Sequence, residues 1–301
     1  TPTDTIVAPA TATGEAALAV IRVSGPEVPE LIRSVFGAIP PPRKVRLGDY
    51  HATGGTVLDK LLYCSFAEGK SYTGEHLLEL SPHGNPWLVR QILDDLVGRG
   101  CRLAEPGEFT RRAFLNGKLD LSQAEAVLQV IQARSDRALD AARRQLAGSV
   151  GRTVDALVDR LLVLTAMLEA YIDFPEEDLP PEDQEGPIRS LQELIRDMDK
   201  LIATREYASL LHDGVKCVIL GEPNVGKSSL LNALTGEDRV IVSAEPGTTR
   251  DYVEERIHVG PYLLRVIDTA GLHEAASSLE EQGISRSIEQ VESAERLLVG
   301  L

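Results

Sequence analysis

Gly221-Glu-Pro-Asn-Val-Gly226-Lys227-Ser228 fits the phosphate-binding pattern G-x-x-x-x-G-K-[ST]. Val215-Lys-Cys-Val-Ile-Leu220 before it reads as a buried strand, and Ser228-Ser-Leu-Leu-Asn-Ala-Leu234 after it as a helix. A strand, a Gly-bounded loop and a helix N-terminus together form a nest of backbone N–H groups for phosphate oxygens. Lys227 is expected to reach the outer phosphates, and the Ser228 hydroxyl to ligate Mg²⁺. The alternative is a Gly-rich strand-to-helix turn without a ligand.

Downstream residues extend the same chemistry. Thr248-Thr249 stands in Glu245-Pro-Gly-Thr-Thr-Arg-Asp251, where a Thr hydroxyl can complete Mg²⁺ coordination. Asp268 ends the apolar run Leu263-Leu-Arg-Val-Ile and leads into Thr269-Ala270-Gly271. An Asp at a strand end, then a Gly whose N–H faces the γ-phosphate, is the switch arrangement of P-loop hydrolases. In Ras-type enzymes a Gln after this Gly orients the attacking water; here Leu272 stands there, unable to hydrogen-bond water. Either the enzyme is slow or inactive, or another residue takes over. Leu279-Glu280-Glu281-Gln282 is a nearby polar cluster, and its chemistry alone singles out no member.

Bulk properties set limits. The chain has 301 residues, enough for two or three domains, and 43% are hydrophobic. Aromatics are only 4%, so the cores must be built mainly from Leu, Val, Ile and Ala. A net charge of −15 argues against broad nonspecific nucleic-acid binding. Arg111, Arg112 and Lys118 form either a local basic patch or an ordinary solvated turn. Cys64, Cys101 and Cys217 have neither disulfide-framework nor zinc spacing, which fits a reducing, cytoplasmic setting. The first residues lack the basic and apolar segments of a signal peptide, and no run of 18 apolar residues is present.

Three regions follow one another. Residues 1–117 read as α/β: strands at Leu18–Val23, Thr56–Leu58, Leu61–Phe66 and Leu77–Leu80, then a helix over Pro86–Arg99. Residues 118–212 read as a helical bundle. Ser122-Gln-Ala-Glu125 has capping-box spacing. An apolar stripe from Leu146 through Val150, Val154, Leu157, Leu161, Leu164 and Leu168 to Ile172 predicts one long packed helix. Pro175–Asp183 is an acidic, Pro-rich break, and Ile188–Leu211 resumes the helical pattern. Residues 213–301 open a P-loop α/β domain, with a hairpin turning at Gly260-Pro261.

These residues resemble the tRNA-modifying GTPase family called MnmE or TrmE, over nearly the whole chain. The likeness rests on Asp4-Thr-Ile-Val-Ala-Pro-Ala-Thr11, Ile21-Arg-Val-Ser-Gly25 and Ser71-Tyr-Thr-Gly-Glu75. It continues through Pro106–Glu125, Gly221–Ser229, Pro246–Asp251 and Asp268–Leu272. The resemblance implies a multidomain α/β plus all-α protein. An N-terminal folate-binding α/β domain also forms a homodimer, a helical domain follows, and a Ras-like G domain is inserted into it. It implies C5 modification (carboxymethylaminomethyl or aminomethyl) of the tRNA wobble uridine, with an FAD-dependent partner, MnmG, and a tetrahydrofolate one-carbon donor.

By motif match, GTP or GDP would be held by Asn224, Val225, Gly226, Lys227, Ser228 and Ser229 of the loop. Ser243, Ala244, Glu245, Pro246, Gly247, Thr248 and Thr249 would follow, then Asp268, Thr269, Ala270 and Gly271. Ser228 and Thr249 would ligate Mg²⁺, while Asn224, Ser243, Glu245 and Thr248 would ligate K⁺ in place of an arginine finger. The family's catalytic Glu matches Glu280. 5-Formyltetrahydrofolate would meet Arg22, Glu79 and Lys118; read as residues alone, Arg22 and Glu79 could equally face solvent on their strands. Leu301 comes before any Asn-Lys-x-Asp motif or Cys-x-Gly-Lys tail, so a fragment, or a chain whose disordered parts are omitted, is expected. The G-domain motifs alone also fit a GTP-dependent assembly switch, or a folate- or tRNA-binding scaffold with a degenerate nucleotide site.

Overall fold

The computed structural model describes residues 4–173, 186–220, 254–268 and 296–299. Two units make up the chain, Thr1–Ala124 and Glu125–Leu301.

The first unit contains β1 (Ile6–Pro9), β2 (Ala16–Leu18), β3 (Ile21–Ser24), α1 (Val28–Phe36), β4 (Arg46–His51) and β5 (Val57–Phe66). It continues with β6 (Leu77–Ser81), β7 (His83–Gly84), α2 (Pro86–Gly98), β8 (Arg102–Leu103) and α3 (Glu108–Leu115). Six strands form one sheet in the order β4-β5-β6-β3-β1-β8, antiparallel except at β1–β8. Successive side chains on a strand point to opposite faces. Val7, Ile21, Val23, Leu61, Leu78 and Leu80 therefore share one face. They pack against Val28, Leu31, Ile32 and Val35 of α1 and Ile92 and Leu96 of α2. Asn85 caps α2, its side chain accepting from the N–H groups of Trp87 and Leu88. The other face takes the alternate residues, and pairing aligns Ala8 with Arg22, Arg22 with Glu79, and Glu79 with Cys64.

Gly25 closes β3 under a tight constraint. Its φ is +143°, and a Cβ there would lie 2.6 Å from both Cα and Oγ1 of Thr5. Gly25→Ala is expected to destabilise this unit by about 1–3 kcal/mol through overpacking, with backbone strain in addition. A thermal melt checks it; an unchanged midpoint would contradict the close approach.

Helix α4 (Leu121–Gln132) runs across the boundary into the second unit, which contains α5 (Asp136–Leu146), α6 (Ser149–Asp173), α7 (Gly186–Asp213), β9 (Val215–Leu220), β10 (Glu254–Val259), β11 (Tyr262–Asp268) and β12 (Arg296–Val299). The strands order as β10-β11-β9-β12, with β9 parallel to both β11 and β12. Helices α6 and α7 are bridged by Arg160–Asp197 at 2.8 Å.

Several expectations need correction. Thr56–Leu58 and Leu61–Phe66 belong to one strand, because pairing with β4 runs on through Asp49–Lys60 and Tyr50–Asp59. The single stripe beginning at Leu146 is two helices. Gly148 has φ +79°, and its N–H bonds to the Gln145 carbonyl, which ends α5 before α6 starts. Among the residues whose burial is described, only Leu164 of the first stripe and Leu194 of the second are buried, and most of the other stripe residues are exposed. The capping box lies two residues earlier than Ser122–Glu125. Asp120 Oδ1 accepts from the Gln123 N–H, and Gln123 Oε1 from the Asp120 N–H. The Ser228–Leu234 helix and the Pro175–Asp183 break lie outside the described residues.

Candidate functional site

Arg22 and Glu79 are adjacent across the β3–β6 pair, on the face opposite the α1/α2 core. Arg22 donates from Nη2 at 2.7 Å and from Nε at 3.0 Å, both to Glu79 Oε1. Their side chains are 27% and 31% exposed, so the pair is open on one side. The Arg22 guanidinium lies 5.4 Å from the Tyr72 ring centre and 5.8 Å from that of Phe109. Both distances are within cation–π range. The Tyr72 hydroxyl is hydrogen-bonded to Thr110 Oγ1 of α3 at 2.9 Å. Lys118 Nζ donates to the Gly69 carbonyl at 2.7 Å. Cys64 flanks Glu79, and its thiol is pushed up by burial and then by the Glu79 charge, so it stays protonated at neutral pH.

The structure thus brings Arg22 and Glu79 into direct contact, rather than leaving each to face solvent. It places Lys118 at the base of the 67–76 loop, which carries Tyr72. Tyr72 and Phe109 were missed from the sequence as neighbours of Arg22. Their only signal was an aromatic in each of two motif segments of an aromatic-poor chain.

A charged knot ties α3 to the segments around Asp4 and Glu75. Arg112 is fully buried. Its Nη1 donates to the Asp4 carbonyl at 2.9 Å and to both Glu75 oxygens at 3.2 and 3.3 Å. Its Nη2 donates to Asp4 Oδ1 at 2.7 Å and Glu108 Oε1 at 3.0 Å. Arg102 also bridges Asp4 and Glu108. Hydrogen bonds from Arg102, then from the Glu105 N–H and Arg112, outweigh burial and draw the Glu108 carboxyl down to about 2. The same guanidinium pair, Arg102 first, lowers Asp4. Burial of Arg112 takes it out of both the basic-patch and the solvated-turn readings, while Arg111 and Lys118 stay at the surface. Arg112 is enclosed, Arg111 pairs with Glu105 and Glu108, and Lys118 is bound to a carbonyl.

For the nucleotide, the described residues supply the frame. β9 ends at Leu220, next to Gly221, and Asp268 at the end of β11 is in register with Ile219. Ligands of parallel α/β sheets bind beyond the carboxyl ends of the strands, which is where both segments lead. Asn224 through Ser229, Ser243 through Thr249, Thr269 through Gly271, and Glu280 lie outside the described residues.

An α/β domain with a charged pair on its open sheet face, joined to helices and a β-sheet that opens on a phosphate-loop sequence, defines the class of protein. Its family is shown by comparison. Residues 5–118 match the model described as GTP-binding protein TrmE N-terminus, and residues 121–298 the MnmE helical domain. The chain is 52% identical to the tRNA modification GTPase MnmE of Opitutus terrae over 98% of its own length and 65% of that relative's. It is 45% identical to the protein of the same name from Akkermansia muciniphila, covering 99% of this chain and 67% of the relative. For Hydrogenovibrio crunogenus the identity is 43%, covering 98% and 66%. The chain belongs to the MnmE family, and it spans about two thirds of the length of these relatives.

Proposed function

We propose that the protein hydrolyses GTP to drive modification of tRNA. The observation that carries this reading is family membership over 98% of the chain, and the Asp268–Ile219 register beside the phosphate-loop sequence supports it. In this reading residues 1–117 form the tetrahydrofolate-binding and dimerising domain, 118–212 the helical domain and 213–301 the G-domain portion. Lys227 and the loop amides hold phosphates, while Ser228 and Thr249 take Mg²⁺. Asn224, Ser243, Glu245 and Thr248 take K⁺, which would offset charge in the transition state. Glu280 orients or activates water, the task Leu272 cannot perform. The target is C5 of the wobble uridine, reached with the FAD-dependent partner MnmG.

Folate suits the Arg22 site chemically. Arg22 occupies Oε1 of Glu79, and Oε2 remains to accept pterin N–H donors. Tyr72 and Phe109 provide aromatic surface beside it, and Lys118 supplies a cation for the folate's glutamate carboxylate. Bound tetrahydrofolate would supply a one-carbon unit.

Single-turnover GTP hydrolysis by the complete protein, compared in K⁺ and in Na⁺, tests the nucleotide half. Faster hydrolysis in K⁺ is expected; equal rates would remove the K⁺ ligands from the mechanism.

A further inference from the structure

The loop 67–76, which carries Tyr72 to Arg22, contains no aliphatic side chain larger than Ala67. Its buried residues are Ser71 and Thr73. Hydrophobic packing therefore does not set its position; hydrogen bonds do. Ser24 Oγ lies 2.7 Å from Glu75 Oε2 and 2.6 Å from Thr73 Oγ1. A serine hydroxyl has one proton. An ionised Glu75 only accepts, so Ser24 donates to Glu75 and Thr73 donates to Ser24. Ser71 donates to the Glu75 carbonyl, and Asn116 Nδ2 donates to the Thr73 carbonyl at 2.7 Å. Each hydroxyl proton has one destination, and the chain of donors ends on Glu75.

Glu75 is in turn held by Arg112. The same guanidinium reaches Asp4, ahead of β1, and Glu108, in the first turn of α3. One side chain thus ties three segments far apart in sequence. Two of them, the loop and α3, bring Tyr72 and Phe109 to the Arg22 guanidinium and Thr110 to the Tyr72 hydroxyl. Burying such a cation is costly, and apolar residues could often fill the space as stably. A fork of donors fixes directions, which an apolar side chain does not.

We infer that Arg112 is a positioning residue for the Arg22–Glu79 site: through Glu75 it locks the 67–76 loop so that Tyr72 and α3 present a preformed ligand surface. This rests on the reading of Arg22 and Glu79 as ligand-binding. Arg112 acts at a distance and touches no ligand.

The test uses the complete protein with Arg112→Met, Glu75→Gln and a control, Ile92→Ala, in the core on the other side of the sheet. Binding of 5-formyltetrahydrofolate is measured by calorimetry, and amide hydrogen exchange is read along the chain. In metal sites, loss of the outer partners that orient the ligating side chains lowers affinity about 10–100-fold. Arg112→Met and Glu75→Gln should each weaken binding at least about tenfold on that scale. Both should speed exchange in residues 69–76 while β3 and β6 stay protected. Ile92→Ala should lower the melting temperature and keep the affinity. Glu75→Gln preserves the buried arginine, so it carries the test if Arg112→Met does not fold. Unchanged loop exchange in both variants, or affinity falling only as far as in the control, overturns the inference. Absence of saturable binding by the unsubstituted protein instead overturns the ligand reading, and with it this role of Arg112; the exchange measurement still separates the two failures.

Discussion

Glu108→Ala is expected to destabilise the N-terminal unit by about 3–5 kcal/mol, the range for removing one partner of a buried ion pair. Glu108 is almost fully buried and accepts from Arg102, Arg112 and the Glu105 N–H. Its removal leaves the enclosed Arg112 short of a counter-charge. Urea unfolding measures the loss. A double variant with Arg112→Met should cost less than the two single changes together, because it removes the stranded cation as well. Additive losses would mean that the two residues act independently. The same contacts make stability acid-sensitive. Glu108 is lowered from an ordinary 4.5 to about 2 in the folded protein. A depressed carboxyl contributes its stability above the unfolded value and loses it as pH falls towards the folded one. Unfolding free energy should therefore decline between about pH 5 and pH 2. Glu108→Ala should flatten that decline, while the lowered Asp4 retains part of it. An unaltered slope in the variant would remove Glu108 as a source of the acid sensitivity.

Regular elements with strong local periodicity were legible from the sequence. The helix after Asn85, the strand Val215–Leu220 and the Gly260-Pro261 hairpin all emerged as expected. The phosphate-loop reading also drew on local order, strand then loop. What escaped depends on partners distant in sequence. The dibasic Arg111-Arg112 looks like a surface feature until Asp4, 108 positions away, and Glu75, 37 positions away, are brought to it. A local hint existed, since Glu108 and Arg112 have the i,i+4 spacing of a helical ion pair. Arg22 and Glu79 alternate with apolar residues on separate strands, and only the β3–β6 register makes them partners. The misplaced capping box is different in kind. Asp120-x-x-Gln123 and Ser122-x-x-Glu125 have equivalent spacing, and only the folded chain, in which Asp120 and Gln123 exchange hydrogen bonds, distinguishes them. The Gly148 break was hidden because the apolar spacing stays near helical across it.

Arg22→Lys gives the sharper test of the ligand site, because it conserves charge and removes shape. Arg22 meets Glu79 through two nitrogens and lies beside two aromatic rings. A lysine ammonium is a compact point charge without the planar fork. Hydrogen bonds to charged groups contribute about 1.5–3 kcal/mol each. Loss of one such bond from the bound state would weaken affinity about 10–100-fold, at about 1.4 kcal/mol per decade. Calorimetric titration with 5-formyltetrahydrofolate should show that loss. Stability should move little, since partly exposed ion pairs contribute about 0–1 kcal/mol. Glu79→Gln separates the two roles within the pair. It leaves Arg22 in place and removes the carboxylate whose Oε2 is available to ligand donors, so a comparable loss of affinity is expected. If Arg22→Lys binds as well as the unsubstituted protein while Glu79→Gln does not, Glu79 alone recognises the ligand and Arg22 serves only to neutralise it. If neither change weakens binding, the face opposite the α1/α2 core is not where folate sits.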